Sequence, residues 1–311
     1  MILTVTLNTA LDLTYAVPAL VPHSSHRVRD VTERPGGKGV NVARVLSALG
    51  HDTVVTGFAG GATGAVLREL LGSLPDHPTD ALVTVAGNTR RTLAVVDHSS
   101  GDTTQLNEPG PHIDAGEWAS FLGTFGELLP QAEAVALCGS LPPGVHVGAY
   151  AELVRLARSA GVPVLLDTGG EPLRRGIAAR PDLVKPNADE LAQLTGAREP
   201  LRATRDARRR GAHSVVTSLG PDGLLAVTPD GIWRAAPPSA VRGNPTGAGD
   251  SAVAGLLSAV AEGLGWQDRL TRAVALSTAT VLAPVAGEFD REAYEDLLTR
   301  VTVEQHPQPA A

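Results

Sequence analysis

The chain has 311 residues, 43% of them apolar and 19% charged, the balance of a folded globular protein and not of a disordered one. With 26 basic against 33 acidic side chains the net charge is −7, which argues against a broad nucleic-acid-binding face. A single cysteine, Cys138, excludes an intrachain disulfide and any multi-cysteine zinc site.

That cysteine usage suits a reducing, cytoplasmic compartment. No run approaches the ~18 apolar residues of a membrane span, so no membrane partner is expected. Aromatic residues make up only 3% of the chain, so the core must be built from Ala, Val and Leu.

Taken in order, Met1–Leu7 reads as a first strand and not as a signal peptide, because it lacks a basic leader and a small-residue cleavage site. Thr14–Val17, Arg27–Thr32, Leu82–Val85 and Thr92–Asp97 read as short, partly alternating strands. They are expected to form a small separate sheet, a lid built from segments around 13–34 and 82–106. From residue 130 the texture changes. Strands at Ala134–Cys138, Val162–Leu166, Leu183–Val184 and Ser214–Thr217 alternate with helices at Ala149–Ala160 and Ala188–Thr195. Such alternation predicts right-handed βαβ crossovers and a parallel sheet, with ligands beyond the carboxyl ends of its strands. The arginine-rich run Arg202–Arg210 has helical spacing and reads as a solvated helix face rather than a phosphate site. The polar tail Thr302–Ala311 is expected to fray.

The most informative segment is Asn244-Pro-Thr-Gly-Ala-Gly-Asp-Ser251, which runs directly into an apolar helical stretch. Gly247 and Gly249 let successive backbone amides turn toward one point at a helix N-terminus, where the helix dipole also favours an anion. A carboxylate, Asp250, stands at the same place. Amides that stabilise a transferring phosphoryl group, beside a carboxylate that accepts a hydroxyl proton, suit phosphoryl transfer. The plainer reading, Asp250 as an N-cap and the glycines as a tight turn, stays open on this segment alone. The G-x-x-x-x-G-K-[S/T] spacing of a P-loop is absent, and so is an N-terminal G-x-G-x-x-G.

Together with Gly36-Gly-Lys-Gly-Val-Asn-Val-Ala43, that segment resembles the two signature regions of the PfkB (ribokinase-like) carbohydrate kinase family. Thr6-Leu-Asn-Thr-Ala-Leu-Asp12, Ala59-Gly-Gly-Ala-Thr-Gly64, Thr89-Arg90, Gly139-Ser-Leu-Pro-Pro-Gly-Val145, Leu183-Val-Lys-Pro-Asn187 and Ser218-Leu-Gly-Pro-Asp-Gly223 extend the likeness. These further matches resemble the 1-phosphofructokinase and tagatose-6-phosphate kinase branch, which acts on hexose monophosphates. They fall in the family's order over roughly residues 2–285. The resemblance implies one kinase domain over 1–311, a three-layer α/β/α sandwich with a mostly parallel sheet and a small β-sheet lid. It also implies ATP and Mg²⁺ as cofactors, a homodimer joined through the lid, and direct transfer to a sugar hydroxyl. D-fructose 1-phosphate is the first expected acceptor, and tagatose 6-phosphate and fructose 6-phosphate are alternatives. A non-catalytic sugar-phosphate sensor on the same fold is the more remote alternative.

Carried onto matching positions, the resemblance makes Asp250 the base and Gly247, Ala248 and Gly249 the anion hole. Asp12, Gly36, Gly37 and Asn41 would meet the sugar, with Ser140 beside them. Lys38 and Arg90 would hold the phosphate already on it, and Arg27 is a further candidate from the lid. On the nucleotide side stand Lys185, Asn187, Ser218, Gly220, Gly223 and Thr246. Glu190, with Asn187, would act on Mg²⁺ through water. Two departures stand out. Thr9 replaces a proline common in the branch, and Ser25 or His26 falls where some 6-phosphofructokinases carry Lys, which counts against fructose 6-phosphate.

Overall fold

A computed structural model describes residues 1–283 and 288–306. The chain opens with β1 (Ile2–Thr6), β2 (Ala10–Val17) and β3 (Val31–Gly36), then α1 (Lys38–Ala48), β4 (Thr53–Gly60) and α2 (Gly61–Gly72). β5 (Thr79–Val85), β6 (Arg90–Asp97) and β7 (Thr103–Asn107) lead into α3 (Ala115–Leu128). The alternating region comprises β8 (Ala134–Cys138), α4 (Ala149–Ser159), β9 (Val164–Asp167), α5 (Gly170–Ala178) and β10 (Leu183–Val184). It continues with α6 (Ala188–Thr195), α7 (Pro200–Arg209) and β11 (Ser214–Ser218). The last described elements are β12 (Leu224–Thr228), β13 (Gly231–Ala236), α8 (Ala248–Ala261), α9 (Trp266–Leu282), α10 (Arg291–Arg300) and β14 (Thr302–His306).

Ten strands form one sheet in the order β14-β13-β12-β11-β10-β9-β8-β1-β4-β5. Neighbours from β5 to β11 run parallel. The β12 to β14 edge is antiparallel. The central strands are buried along their whole length, because helices cover both faces. β8 shows how the two faces are sorted. Val135 and Leu137 join the core under α3 to α7, with Phe121, Phe125 and Leu153. Ala134, Ala136 and Cys138 point the other way, toward α1, α8 and α9. Those small residues admit a helix at close range, and α8 is itself rich in small side chains and buried almost all round. A Cβ on Gly255 of α8 would lie 2.7 Å from the Ala273 Cα of α9, so this helix pair closes at a distance only glycine allows. A core leucine such as Leu137 contributes about 1.5–3 kcal/mol by burial. The architecture is a three-layer α/β/α sandwich.

A second, four-stranded sheet runs β3-β2-β6-β7. Two expectations need correction here. Leu82–Val85 does not belong to this small sheet; it lies in β5, paired in parallel with β4 at the edge of the large one. Its half-exposed pattern is that of an edge strand, which local alternation cannot assign to either sheet. The tail does not begin to fray at residue 302, because Thr302–His306 pairs antiparallel with β13; residues 307–311 lie outside the described residues. Cys138 is buried, as expected of a small core residue. Among the described residues no helix is long and apolar enough to cross a membrane.

Candidate active site

β1, β8, β9, β10 and β11 lie side by side and parallel, and at or just past their carboxyl ends stand Asn8, Ser140, Asp167, Lys185 and Ser218. Two glycine-led helices, α1 and α8, start at the same edge and pack against each other. The N-cap of α8 is Gly247, in the left-handed region at φ 85°, with no side chain closing the helix end. Asp250 is therefore not the cap; it is the third residue of the helix. The Ala248 amide donates to the Pro245 carbonyl at 3.1 Å, so this member of the expected anion hole is engaged within the turn. Among the described residues, the amides left without an acceptor at this end are those of Gly247, Gly249 and Asp250. The Thr246 amide donates to Asn244 Oδ1 at 3.0 Å, which tightens the turn leading in.

Asp250 is only 8% exposed, and Asn41 Nδ2 of α1 donates to its Oδ2 at 2.8 Å. Burial, aided by the nearby Asp167 carboxylate, pushes the Asp250 pKa up to about 6; Lys38, the Asn41 hydrogen bond and Lys185 oppose the rise. A carboxylate poised there can take a proton near neutral pH and release it again. Lys38 Nζ pairs with Asp167 Oδ1 at 3.2 Å, and Lys185 Nζ lies 3.8 Å from the same oxygen. Burial alone would lower the Lys38 pKa, but Asp167, Asp250 and Glu190 more than offset it and hold the ammonium firmly charged. Asp167 escaped the sequence reading. Its signal was present, an apolar strand ending in aspartate, but its weight comes from Lys38, 129 positions away.

On the side of the small sheet, Asp12 of β2 accepts a short hydrogen bond from Thr92 Oγ1 of β6. Burial raises the Asp12 pKa against the pull of Thr92, Arg90 and Arg44. A Cβ on Gly36 would collide with the Asp12 carboxylate, so this glycine makes room for Asp12 itself and not only for a ligand. Gly37 caps α1 at φ 104°. Arg90 Nε donates to the Asn8 carbonyl at 3.2 Å and Nη1 to the Glu108 carbonyl at 3.5 Å. Asn8 Nδ2 donates to Ser140 Oγ at 3.1 Å and to the Pro109 carbonyl at 3.0 Å. These contacts fix Arg90 and Ser140 at the wall of a cavity of about 780 Å³ that Lys38 also lines. Asn8 and Glu108 were likewise missed by sequence reasoning. Arg27 is not brought to this cluster; it lies exposed on the loop between β2 and β3, with no bond to it among the described residues.

On the remaining side, Asn187 and Glu190 close α6 with a reciprocal capping box. Asn187 also bridges to Ser218. Gly220 (φ 61°) opens a short turn, and Gly223 (φ 83°) sits so close to the Ala235 carbonyl that no Cβ fits, giving it a packing duty at the start of β12. No cluster of three or more His, Cys, Asp or Glu forms a ready metal cage among the described residues. What is available is oxygen: the buried Asp167 Oδ2 has no partner, and Glu190 Oε1 faces Gly169. Such donors fit a hard cation that keeps part of its water.

The comparisons with known proteins place the chain in a family. A sequence profile described as pfkB family carbohydrate kinase matches residues 4–292. The crystal structure of phosphofructokinase-2 from Escherichia coli in complex with fructose-6-phosphate is similar at 30% identity and a TM-score of 0.85, over 96% of this chain and 98% of that one. A possible 1-phosphofructokinase from Thermotoga maritima matches at 29% identity and a TM-score of 0.89, over 98% and 99%. At 23% identity and a TM-score of 0.74, Arabidopsis thaliana ribokinase shares the fold over 96% of this chain and 98% of its own. The chain belongs to the pfkB family of carbohydrate kinases, and it is a phosphotransferase acting on a sugar.

Proposed function

We propose that the protein is an ATP-dependent, cytoplasmic hexose-monophosphate kinase that converts D-fructose 1-phosphate to D-fructose 1,6-bisphosphate. The observation that carries this reading is the buried Asp250 carboxylate, held by Asn41 at 2.8 Å beside open helix-terminal amides. In this reading Asp250 removes the proton from the attacking sugar hydroxyl as the phosphoryl group transfers in line. The free amides at the start of α8 stabilise charge on that group, and Lys185 adds positive charge beside them. Asp12 and Asn41 orient the sugar hydroxyls. Arg90 and Lys38 grip the phosphate already on the sugar, Arg90 as a planar fork held by Asn8 and Glu108. Asp167 and Glu190, with Asn187, would hold Mg²⁺ through water, and the ion would offset charge on the nucleotide phosphates. Ser218, Gly220 and Thr246 would flank the nucleotide.

The likeness to a fructose-6-phosphate-bound phosphofructokinase supports a hexose monophosphate as acceptor, and tagatose 6-phosphate and fructose 6-phosphate are the competing substrates. An ADP-release assay across the three sugar phosphates tests the reading. The highest kcat/KM is expected for fructose 1-phosphate, and activity confined to unphosphorylated sugars or nucleosides would sink it. Arg90→Ala should raise the KM for the sugar phosphate by about 10–100-fold with a smaller change in kcat, since a charged bidentate contact contributes roughly 1.5–3 kcal/mol. Val31 and Leu106, both more than half exposed on the small sheet, support pairing of two lids in a homodimer. Light scattering at working concentration checks this; a monomer mass counts against it.

A further inference from the structure

The edge of the large sheet opposite the candidate active site carries two adjoining recesses. The first, of about 450 Å³, lies between the amino ends of β9, β10 and β11 and the turn from α8 to α9. Leu257, Val260 and Trp266 give it an apolar wall, while Asp182 and Asp230 supply carboxylates. Ser214 also lines it; this side chain is 1% exposed and its Oγ has no hydrogen-bond partner. An orphaned buried hydroxyl costs about 1–3 kcal/mol, so something outside the fold is the natural partner for it. Arg269 lies over the Trp266 ring, and its Nε donates to the Leu264 carbonyl at 2.7 Å, which holds the ring in place.

The second recess, of about 540 Å³, is lined by Arg158, Arg180, Arg208 and Arg209 and shares His213 with the first. The four arginines come from the region of three different helices, α4, α5 and α7, so no reading of one helix face could have revealed them together. Arg209 is paired with Asp206, but no carboxylate pairs with Arg158, Arg180 or Arg208 among the described residues. Their positions are fixed in part by backbone carbonyls: Arg158 Nη1 donates to the Arg180 carbonyl at 2.6 Å and Arg208 Nε to the His213 carbonyl at 2.9 Å. In a chain of net charge −7, three unpaired guanidinium groups gathered on one recess mark an anion site.

We propose that the two recesses together form a second nucleotide site, binding a nucleoside polyphosphate with its base in the apolar slot and its phosphates on the arginines. The slot asks for a flat group with an apolar face, N–H donors for Asp182 and Asp230, and an acceptor or donor for Ser214. The adjoining recess asks for several negative charges with oxygen acceptors in bidentate geometry. A purine or cytosine base joined through ribose to a polyphosphate meets both demands, whereas a bare sugar phosphate leaves the slot unfilled. The site is separate from the one that holds Asp250: Asp250 and Val260 lie near opposite ends of the 14-residue α8, ten residues and so about 15 Å apart along its axis. β9 and β10 join the two edges in the same way, from Val164 to Asp167 and from Leu183 to Val184, which leads directly into Lys185.

Calorimetric titration of the full chain with the ATP analogue β,γ-imido-ATP, in parallel with the double variant Arg180→Ala, Arg208→Ala, tests the proposal. The unmodified protein should bind one more nucleotide per chain than the variant, or bind it at least about tenfold more tightly at that site. The difference between the two proteins is the readout, so it holds even if the catalytic phosphoryl donor is not ATP. Tripolyphosphate should occupy the same site at least about tenfold more weakly than the analogue. Independently of any variant, photolabelling of the unmodified protein with 8-azido-ATP should mark peptides containing Ser214 or Trp266. Equal stoichiometry and affinity in both proteins, labelling confined to the edge around Asp250, or equal binding of tripolyphosphate and nucleotide would each overturn the assignment.

Discussion

Two helix N-termini reach the same edge of the sheet and are finished in opposite ways. α6 is closed by side chains: Asn187 Oδ1 accepts from the Glu190 amide at 2.8 Å, and Glu190 Oε2 accepts from the Asn187 amide at 2.9 Å. α8 is left open behind Gly247, and its nearest carboxylate, Asp250, turns instead to Asn41 of another helix. A side-chain cap contributes about 1 kcal/mol to a helix. An open end forgoes that contribution and keeps its amides and dipole for an anion. The closed end stabilises the fold, and the open end is where the chemistry is proposed to occur. Asparagine and carboxylate serve both; glycine marks only the open end.

The change that would break this contrast most directly is Asp250→Asn. It keeps the shape and removes the base, so kcat is expected to fall by about 10²–10⁴-fold while nucleotide and sugar-phosphate affinities stay within a few-fold. Undiminished turnover would remove Asp250 from the mechanism. Next in size is Gly247→Ala. A side chain at φ 85° costs about 1–2 kcal/mol, and re-aiming the amides should lower kcat by about 10²-fold. Gly196, at the far end of α6, has φ 77° and open space where a Cβ would stand, so Gly196→Ala is the control. It should cost similar stability and leave kcat unchanged.

How far this contrast was legible differs between its two halves. The open end was legible as one of two readings, because Gly247 and Gly249 beside Asp250 at the start of an apolar helix suit an anion hole or a capped tight turn, and only the structure removes Asp250 from the cap. The closed end was only half legible: Asn187-Ala-Asp-Glu190 is a capping box by spacing alone, yet the same spacing serves a metal-binding reading. What escaped were properties of pairs distant in the chain. Asp167 matters through Lys38 and Lys185, and Asn8 through Arg90 and Ser140, none of them sequence neighbours. Gly36 was read as facing a ligand, but its missing side chain first accommodates Asp12. β5 and β14 were misassigned for one reason: edge strands carry exposed, weakly patterned residues whose partners are set by topology.

The raised pKa of Asp250 predicts the next effect. The carboxylate must be ionised to accept a proton, so kcat/KM should decline below about pH 6, tenfold for each further unit. Asn41→Ala removes a donor to the charged form and should move that limb up by about one unit. Because burial raises the pKa, folding favours the protonated form. Asp250 therefore adds to stability at low pH, and this contribution is lost as pH rises between the ordinary aspartate value of 3.8 and about 6. Stability and activity should thus run in opposite directions across that window; an acid limb unmoved in Asn41→Ala would show that another group controls it.

The smallest effects belong to α6, and there two substitutions separate cap from metal partner. Asn187→Ala removes a side-chain cap and should lower the unfolding free energy by about 1 kcal/mol, read from the denaturation midpoint. Glu190→Gln leaves the box intact, since Gln at this position can still accept from the Asn187 amide, so stability should hold within about 0.5 kcal/mol. It does remove a negative charge that faces Gly169 near the Lys38–Asp167 pair. If Glu190 also acts on Mg²⁺ through water, half-maximal activity in Glu190→Gln should need about tenfold more Mg²⁺. An unchanged Mg²⁺ requirement in a fully stable Glu190→Gln protein would confine Glu190 to capping. The closed helix end would then be structural alone, and the contrast with α8 complete.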